Sequence, residues 1–271
     1  MTLRLTLLVT LFVFIGLPYE RQVPRSVQPE KLRVLFIGNS YTYFNNLPQI
    51  VAGLSASANP QNGMETKMVA IGGATLKRLW EDGAAREAIK HGPWNYVVLQ
   101  EQSTLGGNNV IDGIAQIGDP KMFHEYARLF NAEIKRSGAK TIFYLTWARQ
   151  NSPEKQAQLT EAYQKIAKEL DAILAPVGIA WENALKQNPR LALHNLDKSH
   201  PSPMGSYLAA CVFYATIYGK SPEGLSSQIK GAVIDQSGKV SPGQGELVNL
   251  SKEDATVLQK ITWETYRKMR L

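Results

Sequence analysis

Four short segments constrain this chain more than any other feature: "RVLFIG" (33–38), "TKMVAIGG" (66–73), "NYVVLQEQS" (95–103) and "KTIFYLTW" (140–147). Each carries an apolar run rich in β-branched or aromatic residues and bounded by polar or glycine residues. A strand with one wet face alternates apolar and polar residues, whereas an unbroken apolar run is buried on both faces. Helical patterns fill the gaps: "LPQIVAGLSASA" with Pro48 near its start, "TLKRLWEDGAAREAIK" weakened at Gly83, and "PKMFHEYARLFNAEIKRSG" ending at Gly138. "SPEKQAQLTEAYQKIAKELDAILAPVG" continues the alternation, with Ser152 placed as an N-cap and Pro153 at the first helical position. "GIAWE" (178–182) reads as a short fifth strand, and helices are expected over "SPMGSYLAACVFYATIYG" and "SKEDATVLQKITWETYRKM".

Strands that alternate with helices form βαβ units and a parallel sheet covered on both sides. The expected fold class is α/β: a three-layer α/β/α sandwich with a mostly parallel, flavodoxin-like sheet. The 271 residues suit one large domain, and 44% hydrophobic residues suffice for a sizeable core. The stretch "STLGGNNVIDGIAQIGD" reads as a long loop, and such loops tend to be functional or mobile. The segment beyond Lys220 carries little functional signal and reads as a loop, a short edge element and a packing helix.

The first residues read as a targeting segment. "MTLR" supplies positive charge, and "LTLLVTLFVFIGLP" is an apolar run too short for a comfortable bilayer span. Residues 1–22 are therefore expected to be a signal peptide, with cleavage within Leu17–Arg25, or an uncleaved N-terminal anchor. Residues 23–30 form a linker in which Pro24 and Pro29 discourage helix, and 31–271 form the folded domain. The expected location is exported, periplasmic or secreted, with no stable membrane span once the signal is cleaved. The net charge of +7 is spread among acidic residues without a dense basic run, which argues against a nucleic-acid partner. The single cysteine, Cys211, lies in an apolar run; it forms no intrachain disulfide and builds no cysteine metal site. Nothing in the sequence indicates an oligomeric state.

In open parallel sheets, ligands bind beyond the carboxyl ends of the strands. Those ends supply "GNSYT", "IGGAT", "QEQS" and "TWARQ". A serine is a weak nucleophile without an adjacent base. Among the histidines, His124 falls in an amphipathic helix pattern and His91 near a helix end, where packing explains both. His194 lies in a loop. His200 has Asp197 three residues before it in a turn, a spacing that lets the carboxylate hold one imidazole nitrogen. Backbone N–H groups at Gly72–Gly73 can approach a ligand closely, and a Gln amide adds a donor. Each motif also has a plain structural explanation as a turn, a cap or a solvated strand end.

Taken in order, "GNSYT", "IGGATL", "VVLQEQS" and "DKSHPS" resemble the blocks of the SGNH (GDSL-type) hydrolase superfamily over about Lys31 to Gly219. The resemblance places the nucleophile at Ser40, with Asn39 where Asp is common. It places the base at His200 and its orienting carboxylate at Asp197. The oxyanion hole would comprise the Ser40 and Gly73 backbone N–H groups. The third block departs from the family's Gly-x-Asn-Asp. Aligning the apolar run puts Gln102 at the Asn position, with Gln100 as the alternative donor.

The implied activity is a serine esterase cleaving a carboxylic ester, with an acetyl ester on a carbohydrate as the leading substrate, small-molecule or polysaccharide. No metal or cofactor is implied. Tyr41, Trp80, Trp147 and Arg149, near strand ends, are candidates for sugar contact. Alternatives are a lipase- or thioesterase-type acyl hydrolase, a non-catalytic extracellular binding protein on the same fold, and a phosphate-binding module with "GNSYT" at a helix N-terminus.

Overall fold

The computed structural model describes residues 31–107, 110–112 and 114–270, so the expected signal peptide and linker lie outside the described residues. Strand β1 (Arg33–Gly38) runs into a one-turn helix α1 (Ser40–Tyr43) and then α2 (Leu47–Ala58). Next come β2 (Glu65–Ala70), α3 (Leu76–Asp82), α4 (Ala84–His91) and β3 (Tyr96–Leu99). Among its described residues the long loop carries a two-residue ladder, β4 (Val110–Ile111) with β5 (Ile114–Ala115). The chain continues through α5 (Lys121–Arg136), β6 (Lys140–Tyr144), α6 (Gln156–Glu169), β7 (Ile173–Ala175), α7 (Val177–Gln187) and α8 (Pro203–Tyr218). A hairpin of β8 (Gln228–Ile234) and β9 (Val240–Asn249) precedes the last helix, α9 (Lys252–Lys268).

The central sheet has the order β2-β1-β3-β6-β7 and every pair in it is parallel. Adjacent residues of β1 feed opposite layers. Val34 and Phe36 pack among residues of α2, α7, α8 and α9, while Leu35 and Ile37 pack among residues of α3, α4, α5 and α6. All four side chains are fully buried. That two-sided burial is the physical content of the unbroken apolar run. The result is the three-layer α/β/α sandwich. Chain order reverses direction at β1, so the crevice between the ends of β1 and β3 is the topological switch point, where such sheets bind ligands.

Several expectations about elements need correction. The fifth strand is Ile173–Ala175, not "GIAWE"; Gly178–Glu182 lies inside α7. Pro176 separates the two, and Val177, Ala180, Trp181 and Ala184 bury a helical-period face. Helix α6 accordingly ends at Glu169, and Ser152 makes no side-chain cap bond. The weakness at Gly83 is a full break: its φ of 89° ends α3 and starts α4. Beyond Lys220 the chain forms a ten-residue strand paired with a seven-residue one, not a short edge element. The hairpin lies against α2, where Ile229 meets Gly53 and the Gln49 Oε1 accepts the Ala232 N–H at 2.7 Å.

Candidate active site

Ser40 is the first residue after the β1 turn, and its position is over-determined by Asn39. The Asn39 Oδ1 accepts the Tyr41 N–H at 3.1 Å and a Gln100 Nε2 hydrogen at 3.0 Å, while its Nδ2 donates to the Ala74 carbonyl at 2.9 Å. Gln100 completes the clamp: its Oε1 accepts the Asn39 N–H and the Thr42 hydroxyl, each at 2.9 Å. The ends of β1, β2 and β3 are thus joined through two buried amides. An aspartate at position 39 would lack the donor that reaches Ala74. Gly38 is compulsory here, because a Cβ would meet the Thr42 Oγ1 at 2.3 Å and the Gln100 Oε1 at 2.5 Å.

The His200 loop arrives from the start of α8. The His200 Nε2 lies 2.8 Å from the Ser40 Oγ, and its Nδ1 contacts the Asp197 Oδ2. The second oxygen of Asp197 accepts the backbone N–H groups of Ser199 and His200, both at 2.9 Å. Burial acts to raise the Asp197 pKa, but the hydrogen bonds from His200 and from these amides outweigh it and hold the carboxyl below its ordinary value. Lys198, between them, takes φ 61° to make the tight turn.

Several contacts brace this loop. The Asn45 side chain, on a left-handed residue of φ 54°, donates to the Pro201 carbonyl at 3.0 Å and to the Ser206 Oγ at 2.9 Å. Tyr41 reaches the Ser199 Oγ at 2.7 Å, and the Trp147 indole donates to the Ser199 carbonyl at 3.0 Å. The Phe44 ring stacks on the His200 imidazole at 4.1 Å between centroids. Ser202 caps α8 by accepting the Gly205 N–H at 3.1 Å.

Ser40, Gly72, Gly73, Gln102, Arg149, Asp197 and His200 line one cleft of about 590 Å³. Gly73 sits at φ 65° with no neighbour within 4 Å of where a Cβ would stand, leaving its backbone open to the cleft. Neither the Ser40 nor the Gly73 N–H donates to another described residue. Gln102 holds its Oε1 against the Thr104 N–H and hydroxyl, both at 2.6 Å. Its amide nitrogen makes no bond to a described residue. Gln100, the alternative donor, is placed differently: it is fully buried against the Ser40 turn, and its Nε2 is committed to Asn39 and to the Glu101 carbonyl at 2.6 Å.

Glu101, between the two glutamines, was not singled out by the sequence as a site residue. Its buried carboxylate accepts the Leu76 N–H at 3.1 Å and the Gln102 N–H at 2.6 Å, fastening the glycine loop to the end of β3. Burial raises its pKa to about 7.

The remaining candidates separate. His124 is buried in α5 with its Nε2 on the Ala162 carbonyl, and His91 pairs with Glu87 on the surface. His194 contacts the Ala148 carbonyl at 3.1 Å and stands edge-on to Trp181. Trp147 is fully buried in a stack between Tyr41 and Trp181, and Trp80 packs edge-on against Phe130 under Arg86. Neither tryptophan lines the cleft, so neither is the expected sugar platform; Tyr41 and Arg149 do line it. Sequence reading missed Gln236. The hairpin turn brings it to the cleft, latched by the Tyr43 hydroxyl donating to its carbonyl at 3.1 Å. Nothing local to "DQSGK" announces that role.

No family sequence model and no curated protein sequence matches the chain. Solved structures do. A protein from Slackia heliotrinireducens assigned to the SGNH hydrolases is 25% identical, with a TM-score of 0.57, over 69% of this chain and 100% of its own. A DUF4886 family protein from Bacteroides uniformis aligns over 87% of this chain and 95% of its own at 17% identity and TM-score 0.60. An acetyl xylan esterase from Geobacillus stearothermophilus aligns over 70% and 94% at 16% identity and TM-score 0.53.

Proposed function

We propose that this chain, which belongs by fold to the SGNH (GDSL-type) hydrolase superfamily, is a serine esterase. One observation carries the reading: Ser40, His200 and Asp197, from segments some 160 residues apart in sequence, form a continuous hydrogen-bonded relay at the switch point of the sheet.

His200 Nε2 takes the proton of the Ser40 hydroxyl as the oxygen attacks an ester carbonyl. Asp197, held ionised by its donors, fixes the tautomer and stabilises the imidazolium that forms. The Ser40 and Gly73 N–H groups and the Gln102 Nε2 are the donors for the tetrahedral oxyanion, because each borders the cleft and none is committed elsewhere among the described residues. His200 then returns the proton to the leaving alcohol. Water, activated by the same imidazole, frees the acyl group.

An acetyl ester on a carbohydrate is the substrate we favour. The acetyl xylan esterase of similar fold supports it, as does the reading of residues 1–22 as an export signal, which would put the enzyme where polysaccharides are. The cleft around Ser40 is lined by the aromatic Tyr41, Tyr43 and Phe44 together with the polar Gln102, Asn195 and Gln236.

The test is hydrolysis of 4-nitrophenyl acetate by the purified protein and by Ser40→Ala. Loss of essentially all turnover in the variant is expected. Equal rates in the two proteins would sink the proposal, and a marked preference for long acyl chains would replace the carbohydrate substrate with a lipid.

A further inference from the structure

Arg149 lines the candidate active-site cleft without a counter-ion. Its Nε is buried with no hydrogen-bond partner, and its guanidinium forms neither an ion pair nor a side-chain hydrogen bond with any described residue. Among the described residues the only carboxylate lining the same cleft is Asp197, and its two oxygens are taken by His200 and by the Ser199 and His200 amides. Glu154 and Glu182 border the hollow on the far side of Arg149, where Glu182 pairs with Lys186 at 2.9 Å. A buried polar nitrogen is normally satisfied, and a charged one left unpaired is expensive. The planar fork of arginine suits a carboxylate that arrives with a ligand.

The position of Arg149 says which part of the substrate would carry that carboxylate. The next residue, Gln150, donates its backbone N–H to the Lys198 carbonyl at 2.9 Å, so the Arg149 segment is pinned to the loop that holds Asp197 and His200. The leaving alcohol departs on the side of the imidazole that protonates it. Arg149 therefore stands beside the alcohol rather than the acyl group. Arg149 also lines a second hollow of about 350 Å³, bordered by Pro153, Trp181, Leu185 and His194.

We infer that Arg149 is a specificity residue that binds a carboxylate on the leaving alcohol, so that the preferred substrate is an acyl ester of an acidic sugar such as a uronic acid. This rests on the esterase reading of the same cleft. The reaction is ordinary ester hydrolysis: water adds, the acyl–oxygen bond breaks, and a carboxylic acid and the free acidic sugar leave.

The experiment compares a matched pair, O-acetylated methyl glucuronopyranoside and its C6 methyl ester, which differ by one charge. The wild-type protein should favour the acid by about tenfold or more in kcat/KM at low salt, mostly through KM. That ratio should shrink as salt is added. Arg149→Gln should bring the ratio to about one, and Arg149→Lys should keep part of it. A wild-type ratio near one, an unchanged ratio in Arg149→Gln, or an equal loss on both esters would overturn the inference. Calorimetry with free methyl glucuronide and methyl glucoside on Ser40→Ala protein separates the two claims. Arg149-dependent binding of the acid without Ser40-dependent hydrolysis would leave the anion site standing and remove the esterase. Hydrolysis without acid preference would do the reverse.

Discussion

Gln100 and Gln102 show how much two positions decide. They are the same residue type at the end of one strand, yet one is buried as a structural clamp and the other borders the cleft. Gln102→Glu tests the second assignment cleanly. The carboxylate keeps acceptors for Thr104 and Gly106 but loses the donor and repels a developing oxyanion. The expected outcome in steady-state kinetics is a fall in kcat of about 10²–10³-fold with the melting temperature little changed. A kcat within a factor of two of wild type would assign the third oxyanion donor elsewhere. The Asp-x-x-His pair was legible as a local signal, whereas Ser40 stood out only through the resemblance of the ordered motifs to the SGNH blocks. A strand that breaks at Gly-Asn-Ser reads locally as a turn or a cap, while a carboxylate three residues before a histidine reaches it within one turn. Alignment of the apolar run favoured Gln102 and kept Gln100 as the alternative, because it does not show which amides the neighbouring strands consume.

At the scale of elements, the His200 loop is held by the helix it introduces. Ser202 accepts the Gly205 N–H and donates to the Ala192 carbonyl, so it both caps α8 and ties the loop back on itself. Ser202→Ala should cost about 1 kcal/mol and up to about 2 kcal/mol of unfolding free energy, measured by urea denaturation. An unchanged midpoint would mean that the cap contributes nothing. The strands of the sheet were readable as runs of apolar residues, and helices α2, α5, α8 and α9 as periodic or capped segments. Errors came where two short apolar stretches flank Pro176. "ILA" and "GIAWE" both suit a strand by composition, but the second lies in a helix that buries Val177, Ala180, Trp181 and Ala184 on one face, with Trp181 stacked on Trp147. The β8–β9 hairpin was under-read for another reason. Its strands are largely exposed and polar, and what orders them is contact with α2 and Tyr43, nearly two hundred residues earlier.

For the molecule as a whole, the buried Glu101 makes stability depend on pH in an unusual direction. Burial lifts its pKa from the ordinary 4.5 to about 7. Below the unfolded value both states hold the proton and the group is neutral in its effect. As pH rises from about 4.5 to about 7 the folded state binds more protons than the unfolded one, so this group lowers stability with rising pH. The shift corresponds to about 3 kcal/mol once pH exceeds the folded value. Glu101→Gln removes the titration. Denaturant unfolding at about pH 4 and about pH 8 should therefore show the variant gaining on wild type by about 3 kcal/mol between the two conditions. Parallel pH dependence in the two proteins would contradict the assignment.

By itself the sequence determined the doubly wound sheet, the turn that displays Ser40 and the turn that joins Asp197 to His200. All of these follow from residues within a few positions of one another, where backbone sterics and hydrophobic periodicity act. Only the tertiary structure decided that Asn39 and Gln100 stitch three strand ends together, that this withdraws Gln100 from the cleft, that Gln236 arrives from the hairpin, and that Arg149 meets no counter-charge among the described residues. Those outcomes depend on which buried donors and acceptors find partners across the fold. Hydrogen-bond satisfaction between segments some 60 to 190 residues apart is a property of packing, not of any local stretch of sequence.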